Sequence, residues 1–360
     1  MSQIRSAEST TLAPPEQPGI SPAIYTLGLR KHYGRTVAVK SLSVTVQRGE
    51  VFGFLGPNGA GKTTMVKMLL GLVRPSGGEG MVLGAPIGDR EARRRVGYLP
   101  ELFRFQPWLT ATEVLRLHCR LLDLPKPSWA DAIADALHVV GLADRADDKV
   151  AGFSKGMQQR LGLGVALLGE PALVILDEPT SALDPVGRHH VRQLTRDLRD
   201  RGCTVFLNTH LLEEAEQVCD RVAVIDKGSA IAVGTLGELL GHRARVRLKV
   251  GAMEPGWWAD LSSFGTWDPG EARDSGLTQD SGLTRDSGRA GDSGRAGDSG
   301  GTGDSGGTGD AAGDWVTVDG IGPGQVPELV ARIVARGGRV EAVIPEHQSL
   351  EDRFLELLGE

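Results

Sequence analysis

Three things are scarce in this sequence, and each scarcity excludes a class of protein. Only three cysteines occur in 360 residues, Cys119, Cys203 and Cys219, with no CxxC spacing. An odd, scattered set argues against a disulfide framework or a zinc ribbon and suits reduced thiols in a cytosolic protein. Nowhere do 18 apolar residues follow one another, so no segment reads as a transmembrane helix. Residues 1–22 contain no apolar run and read as a loose polar tail, not a signal peptide. Basic residues are not in excess either. Lys and Arg total 40 against 46 Asp and Glu, a net charge of −6, which gives no electrostatic reason to expect a nucleic-acid partner. What is present is a hydrophobic fraction of 40%, enough for a sizeable core, over a length suited to one large and one small domain.

Residues 24–46 alternate with β-branched side chains around the turn Lys31-His32-Tyr33-Gly34, predicting an antiparallel pair. Glu50–Leu55 reads as a buried strand and Thr63–Leu72 has helical spacing. Leu, Ala and Arg dominate 110–140, which reads as helices broken near Pro125 and Pro127. A helix capped by Ser154 is followed by strand 173–177, helix 185–200, strand 203–208, helix 211–219 and strand 222–226. Such alternation predicts an α/β fold with a largely parallel sheet covered on both faces.

The C-terminal third differs. Residues 243–250 alternate Arg or Lys with apolar residues, suiting a half-exposed strand with solvated cations on one face. Residues 274–309 are six hexapeptides of the form Asp-Ser-Gly-x-x-x; they lack the period of nine and the apolar anchor of calcium-binding repeats. Their composition predicts a disordered, dispensable insertion over about 270–313. Strand 315–318, helix 326–335, strand 339–343 and helix 349–358 complete an expected small β-β-α-β-α appendage over 241–360.

Three segments carry chemistry. Gly56-Pro57-Asn58-Gly59-Ala60-Gly61-Lys62-Thr63 satisfies GxxxxGK[ST] between a strand and a helix. Its glycines let backbone N–H groups turn inward around phosphates, Lys62 neutralises their charge, Thr63 offers a hydroxyl to Mg²⁺, and Thr64 adds a donor. Asp177 ends the apolar strand Leu173–Leu176, where it can hold Mg²⁺ through water, and Glu178 is placed to take a proton from an attacking water. Taken alone, an acidic pair after a strand is more often a helix N-cap; coupled to the phosphate loop upstream, the catalytic reading wins. Between them, Phe153-Ser154-Lys155-Gly156-Met157-Gln158-Gln159-Arg160 opens a helix with a Ser-x-Gly segment.

In this order the three segments resemble the nucleotide-binding subunit of ATP-binding cassette (ABC) transporters, over roughly residues 24–240. The resemblance implies a P-loop NTPase of the ABC type with a mostly parallel sheet, an antiparallel β edge and a helical subdomain at about 98–165, followed by an α+β appendage. It implies ATP and Mg²⁺ as cofactors. Tyr33 would stack on adenine, Ser181-Ala182-Leu183-Asp184 would form the D-loop with Asp184 near nucleotide, and His210 would sense the γ-phosphate. Ser154 and Gly156 would cover ATP held by a second nucleotide-binding subunit in a head-to-tail dimer. Glu101, in Gly97-Tyr98-Leu99-Pro100-Glu101, stands where the family more often has glutamine and would face Mg²⁺ or water.

Departures from the commonest signature, Leu-Ser-Gly-Gly-Gln, narrow the resemblance. Phe153, Lys155 and Met157, with Leu99-Pro100-Glu101 and the ending Ser349–Leu355, look like subunits of ABC-2-type exporters. The resemblance thus implies an ATPase at the cytoplasmic face of the cell membrane, driving a separate transmembrane permease that docks around Glu101–Trp108. A soluble ABC-type ATPase of translation or DNA maintenance is the alternative. It is disfavoured by the single cassette and by the lack of a long coiled coil between phosphate loop and signature. An ATP-regulated binding module without transport stays open on the sequence.

Overall fold

The structure, a computed structural model, describes residues 21–240, 244–251, 257–268, 314–321, 323–346 and 349–358. The expected tail and the hexapeptide insertion lie almost wholly outside the described residues. The chain divides at Gly241/His242 and again at Gln348/Ser349, so that the middle stretch forms one compact unit and the two flanks form another.

The larger unit is built on a ten-stranded sheet. In chain order its elements are β1 (Ile24–Tyr33), β2 (Thr36–Val46), β3 (Val51–Leu55), α1 (Lys62–Leu69), β4 (Gly77–Val82), β5 (Ala85–Pro86), α2 (Arg90–Arg94) and β6 (Val96–Leu99). Then come α3 (Ala111–Leu121), α4 (Trp129–Val139), α5 (Lys155–Leu167), β7 (Leu173–Asp177) and α6 (Pro185–Asp200). β8 (Thr204–Thr209), α7 (Leu212–Val218), β9 (Arg221–Asp226), β10 (Ser229–Thr235) and α8 (Leu236–Leu240) close the series. Strand order is β5-β4-β1-β2-β10-β9-β3-β8-β7-β6. The segment from β9 to β6 through β3, β8 and β7 is parallel, while β1 pairs antiparallel with both β2 and β4.

The pleat of the central strands sorts their side chains into two cores. Val51, Leu55, Val174, Leu176, Val205 and Leu207 face one, with residues of α3, α4 and α5. Phe52, Phe54, Leu173, Ile175 and Phe206 face the other, with Met65, Val66, Met68 and Leu69 of α1. Alternate residues point to opposite faces, so two buried faces demand the near-continuous apolar runs seen in β3 and β7. Such a sheet leaves its polar chemistry to the loops at the strands' C-terminal ends.

Three caps fix the helices that flank those loops. The Ser154 hydroxyl accepts the Met157 N–H at 3.2 Å to start α5, and the Asp184 carboxylate accepts the Gly187 N–H at 2.8 Å to start α6. Thr110 and Glu113 form a reciprocal capping box on α3. The backbone of α5 also approaches β6 closely: a β-carbon on Gly97 would lie 1.9 Å from the Ala166 carbonyl oxygen.

The smaller unit is a four-stranded antiparallel sheet, β12-β13-β11-β14, with β11 (Ala244–Gly251), β12 (Thr266–Asp268), β13 (Asp314–Ile321) and β14 (Arg339–Glu346). Helix α9 (Val326–Ala335) contributes Leu329 and Ile333 to a core with Val246, Leu248 and Val250. The alternate residues of β11 are engaged on the other face: Arg245 pairs with Asp319, Lys249 reaches Glu341 at 2.9 Å, and Arg247 stacks over Trp315 at 4.3 Å.

Two expectations need correction. The appendage has an additional short strand, β12, between its first two expected strands, so the hexapeptide stretch follows β12 and not β11. The helix expected to end the appendage, α10 (Leu350–Leu358), belongs to the larger unit. Leu350 is buried in the same core as Ala215 and Val218 of α7, and its N–H donates to the Glu216 carboxylate. Hydrophobic spacing shows that a helix has an apolar face but not which core receives it.

Candidate active site

The loop from Gly56 to Gly61 joins β3 to α1, and its shape depends on glycine at positions where a side chain would collide. A β-carbon on Gly56 would sit 2.2 Å from the Ile225 carbonyl oxygen, and one on Gly61, whose φ is +102°, would sit 2.4 Å from that of Ala38. The left-handed Gly61 turns the chain into α1. The first intrahelical donor is Met65, bonded to the Gly61 carbonyl at 3.0 Å, so the N–H groups of Lys62, Thr63 and Thr64 lack intrahelical acceptors. No acidic side chain occupies that first turn, leaving a positive helix end suited to an anion. The Lys62 ammonium folds back on the loop, donating to Gly56 O at 2.6 Å and Pro57 O at 3.3 Å.

Asp177 and Glu178 project from the end of β7 and are both buried. The Asn208 amide donates to Asp177 Oδ1. Glu178 sits in the left-handed region at φ +50°, an arrangement that costs a non-glycine residue about 1–2 kcal/mol. Its backbone explains the conformation. The N–H continues the sheet to Asn208 O at 2.9 Å, while its carbonyl turns to accept the Ser181 hydroxyl at 3.0 Å. The carboxylate is held on both oxygens. His210 Nδ1 lies 2.8 Å from Oε1, and the Thr209 hydroxyl lies 3.4 Å from Oε2. A carboxylate only accepts, so Nδ1 carries the hydrogen in that bond and Nε2 is left for another partner.

Charge balance in this cluster is uneven. Burial pushes the Lys62 ammonium down, opposed by Glu178, Asp177 and Glu101. Burial pushes Asp177 up; Glu101 and Glu178 add to that, while the Asn208 bond and Lys62 oppose it. Tyr98 is pushed up to about 12 by burial and then by the Asp177 and Glu101 carboxylates. Glu101 is itself solvent-exposed beyond β6, yet close enough to act on all three.

The fold therefore brings Lys62, Glu101, Asp177, Glu178 and His210 together. Among the described residues no hydrogen bond ties Tyr33, Ser154 or Asp184 to that cluster. Tyr33 ends β1 with 47% of its surface exposed, and the Lys31 ammonium lies 4.9 Å from its ring centroid. Ser154 and Gly156 lie at the start of α5, Ser154 exposed, and Asp184 caps α6. One buried contact links α5 to the end of β7: Gln159 Nε2 donates to the carbonyl of Pro179, next to Glu178, at 3.1 Å. Sequence reasoning missed Asn208, Thr209 and Gln159. The polar run Asn208-Thr209-His210 closing the apolar strand Thr204–Leu207 was the available signal for two of them.

Comparisons with known proteins bear on the family. A family model described as ABC transporter matches residues 39–181. An ABC transporter ATP-binding protein of Nostoc sp. is 45% identical over 229 residues, spanning 61% of this chain and 68% of that one. The linearmycin resistance ATP-binding protein of Bacillus subtilis is 38% identical over 65% of this chain and 77% of its own. The Nod factor export ATP-binding protein I of Ralstonia nicotianae is 40% identical, over 63% and 72%. Among solved structures, an ATP-binding subunit of an ABC transporter superposes with a TM-score of 0.57 at 32% identity, covering 60% of this chain and 91% of that one. A dimeric post-hydrolysis ATP-binding cassette holding ADP and Pi gives 0.55 at 26% identity, over 59% and 98%. The chain belongs to the ABC transporter family, as an ATP-binding subunit with ATPase activity.

Proposed function

We propose that this chain is the ATPase of an exporter: it pairs with a second nucleotide-binding subunit on ATP and drives a separate membrane permease from the cytoplasmic face. The observation that carries the reading is the convergence of Lys62, Asp177, Glu178 and His210 at the C-terminal ends of β3, β7 and β8. Lys62 and the N–H groups of Gly59 to Thr64 would hold the β- and γ-phosphates, and Tyr33 the adenine. Glu178 would orient and deprotonate the water attacking the γ-phosphorus in line, with His210 fixing its carboxylate. Ser154 and Gly156 would act on the nucleotide of the partner subunit, as would the D-loop ending at Asp184.

The donor set suits Mg²⁺. Thr63, Asp177 and Glu101 offer oxygen, the preference of a hard cation. No self-sufficient cluster of three His, Cys, Asp or Glu occurs among the described residues, as expected of an ion completed by phosphates and water. Asp177 is pushed up chiefly by burial, and the neighbouring Glu101 and Glu178 carboxylates add to it, so a cation would relieve that crowding. In addition, the buried Asn208 Oδ1 has no donor among the described residues, a place for a metal-bound water. When bound, Mg²⁺ would neutralise charge developing on the transferred phosphoryl group.

No helix among the described residues is long and apolar enough to cross a membrane. What supports a permease partner is the segment after Glu101, where large apolar side chains stand exposed, Leu102 at 86% and Trp108 at 67%. Export rests on the signature Phe153–Arg160 and on relatives named for export and resistance. The test is Glu178→Gln in the full chain. Turnover should vanish while an ATP-bound dimer accumulates on size exclusion, and undiminished turnover would remove Glu178 from the base role. Purification of the tagged chain from its own membranes should bring down a multi-span protein; recovery of the chain without one would count against the permease.

A further inference from the structure

We infer that Thr209, braced by the Arg192–Glu214 ion pair across the gap between α6 and α7, is a positioning residue that sets the carboxylate of Glu178; the inference rests on Glu178 being the base. Thr209 ends β8 and is 1% exposed. Its hydroxyl accepts the Leu211 N–H at 3.0 Å and lies 3.4 Å from Glu178 Oε2. A hydroxyl has one hydrogen and two lone pairs. With the backbone N–H on one lone pair, the hydrogen is directed at the carboxylate. The 3.4 Å separation is long for such a bond, as catalytic contacts often are before substrate is in place. Since His210 holds Oε1, both oxygens of the base are set by consecutive residues of the β8–α7 junction.

An ion pair braces that junction. Glu214, in the first turn of α7, meets Arg192 of α6 at 3.3 Å, with side chains only 10% and 20% exposed. Between the two helices lies a cavity of about 10 Å³ lined by Thr180, Val191, Arg192, Thr209, Glu214 and Val218. That is close to the space one water occupies, so side-chain packing behind Thr209 is incomplete. The ion pair then helps to set the spacing, together with the buried Val191 and Val218 and the Arg196 bond to the Gln217 carbonyl at 2.8 Å. Removing one partner of such a pair leaves the other charge buried and uncompensated, and the helix carrying it shifts. Thr180, two residues beyond Glu178, lines the same cavity. Neither Arg192 nor Glu214 touches Glu178, and both act through Thr209 and its neighbours.

The experiment is steady-state Mg-ATP hydrolysis by the full chain, with ATP affinity measured separately by equilibrium titration. Thr209→Val should lower kcat by about ten- to a hundredfold, the effect of losing a hydrogen bond to a charged group. ATP Kd should stay within about twofold, and Thr209→Ser should restore kcat to within about threefold. Glu214→Gln should lower kcat in the same direction. The double variant should be no slower than Thr209→Val alone, because both changes act through one hydroxyl. Wild-type kcat in Thr209→Val, a Thr209→Ser as slow as the valine variant, or a fully additive double loss would each overturn the inference. If Thr209→Val does not fold, Thr209→Ala takes its place against the serine variant with the same criteria. Retained turnover in Glu178→Gln would sink the base reading and this inference together. A dead Glu178→Gln beside a wild-type Thr209→Val would sink this inference alone.

Discussion

Asp177→Asn should make the nucleotide-free protein more stable while removing its activity. In the folded chain the Asp177 carboxylate is pushed up by burial and by Glu101 and Glu178, with the Asn208 bond and Lys62 only partly offsetting them. A carboxyl whose folded pKa lies above its unfolded value of about 3.9 contributes fully to stability below that value. The contribution is lost as pH rises through the folded pKa. At neutral pH the protein therefore carries a penalty that an uncharged isostere does not. The amide keeps an oxygen to accept from Asn208 and fits the same space. Relief of a buried polar mismatch is on the order of 1–3 kcal/mol, which for a domain of this size raises Tm by about 3–10 °C. The assay is thermal unfolding of both proteins without nucleotide, from pH 4 to pH 8. Their Tm values should be close near pH 4, with the variant drawing ahead toward pH 8. Adding Mg-ATP should raise the wild-type Tm more than that of the variant if Asp177 is the acidic ligand proposed for the cation. A variant less stable than wild type at pH 8, or a gap that closes as pH rises, would refute the charge argument.

Other outcomes follow from single contacts. Gly97→Ala should cost at least about 1–3 kcal/mol, because its β-carbon meets the Ala166 carbonyl in a well-packed α5–β6 contact; an unchanged denaturation midpoint would be incompatible with that closeness. Tyr33→Ala should weaken ATP binding by about two- to tenfold, the worth of one aromatic stack, with Tm unmoved because the ring is half exposed; isothermal titration reads the first and calorimetry the second. Asp184→Ala removes the cap on α6 and should cost about 0.5–2 kcal/mol, seen as a lower urea midpoint, while Asp184→Asn should largely keep it.

Much of the larger unit was legible because its signals are local. Helix α6 runs over the expected 185–200, since Asp184 and Pro185 mark its start. Strand β7 ends at Asp177 as the apolar run does. By contrast β4 has the sequence Gly-Gly-Glu-Gly-Met-Val, poor in strand formers, and is a strand because β1 and β5 pair with it antiparallel. In the site, Lys62, Asp177 and Glu178 announce themselves through motif chemistry. Asn208 and Thr209 do not: an amide and a hydroxyl at a strand end are ordinary until the fold sets them on two carboxylates. His210 was expected to sense phosphate. Its observed bond to Glu178 joins the ends of two paired strands across 32 residues of sequence, a partnership that no local pattern encodes.

The route taken by α10 has a consequence for synthesis. Leu350 completes a hydrophobic core whose other members, among them Ala215 and Val218, are translated more than a hundred residues earlier. Everything from His242 to Gln348 is made in between. A ribosome releasing this chain in order would leave that side of α7 uncovered while the smaller unit is being made, at about 5–20 residues per second. The larger unit thus spends several seconds with an apolar seat that only a later part of the same chain can fill. A binding factor that recognises apolar surface has that interval in which to act.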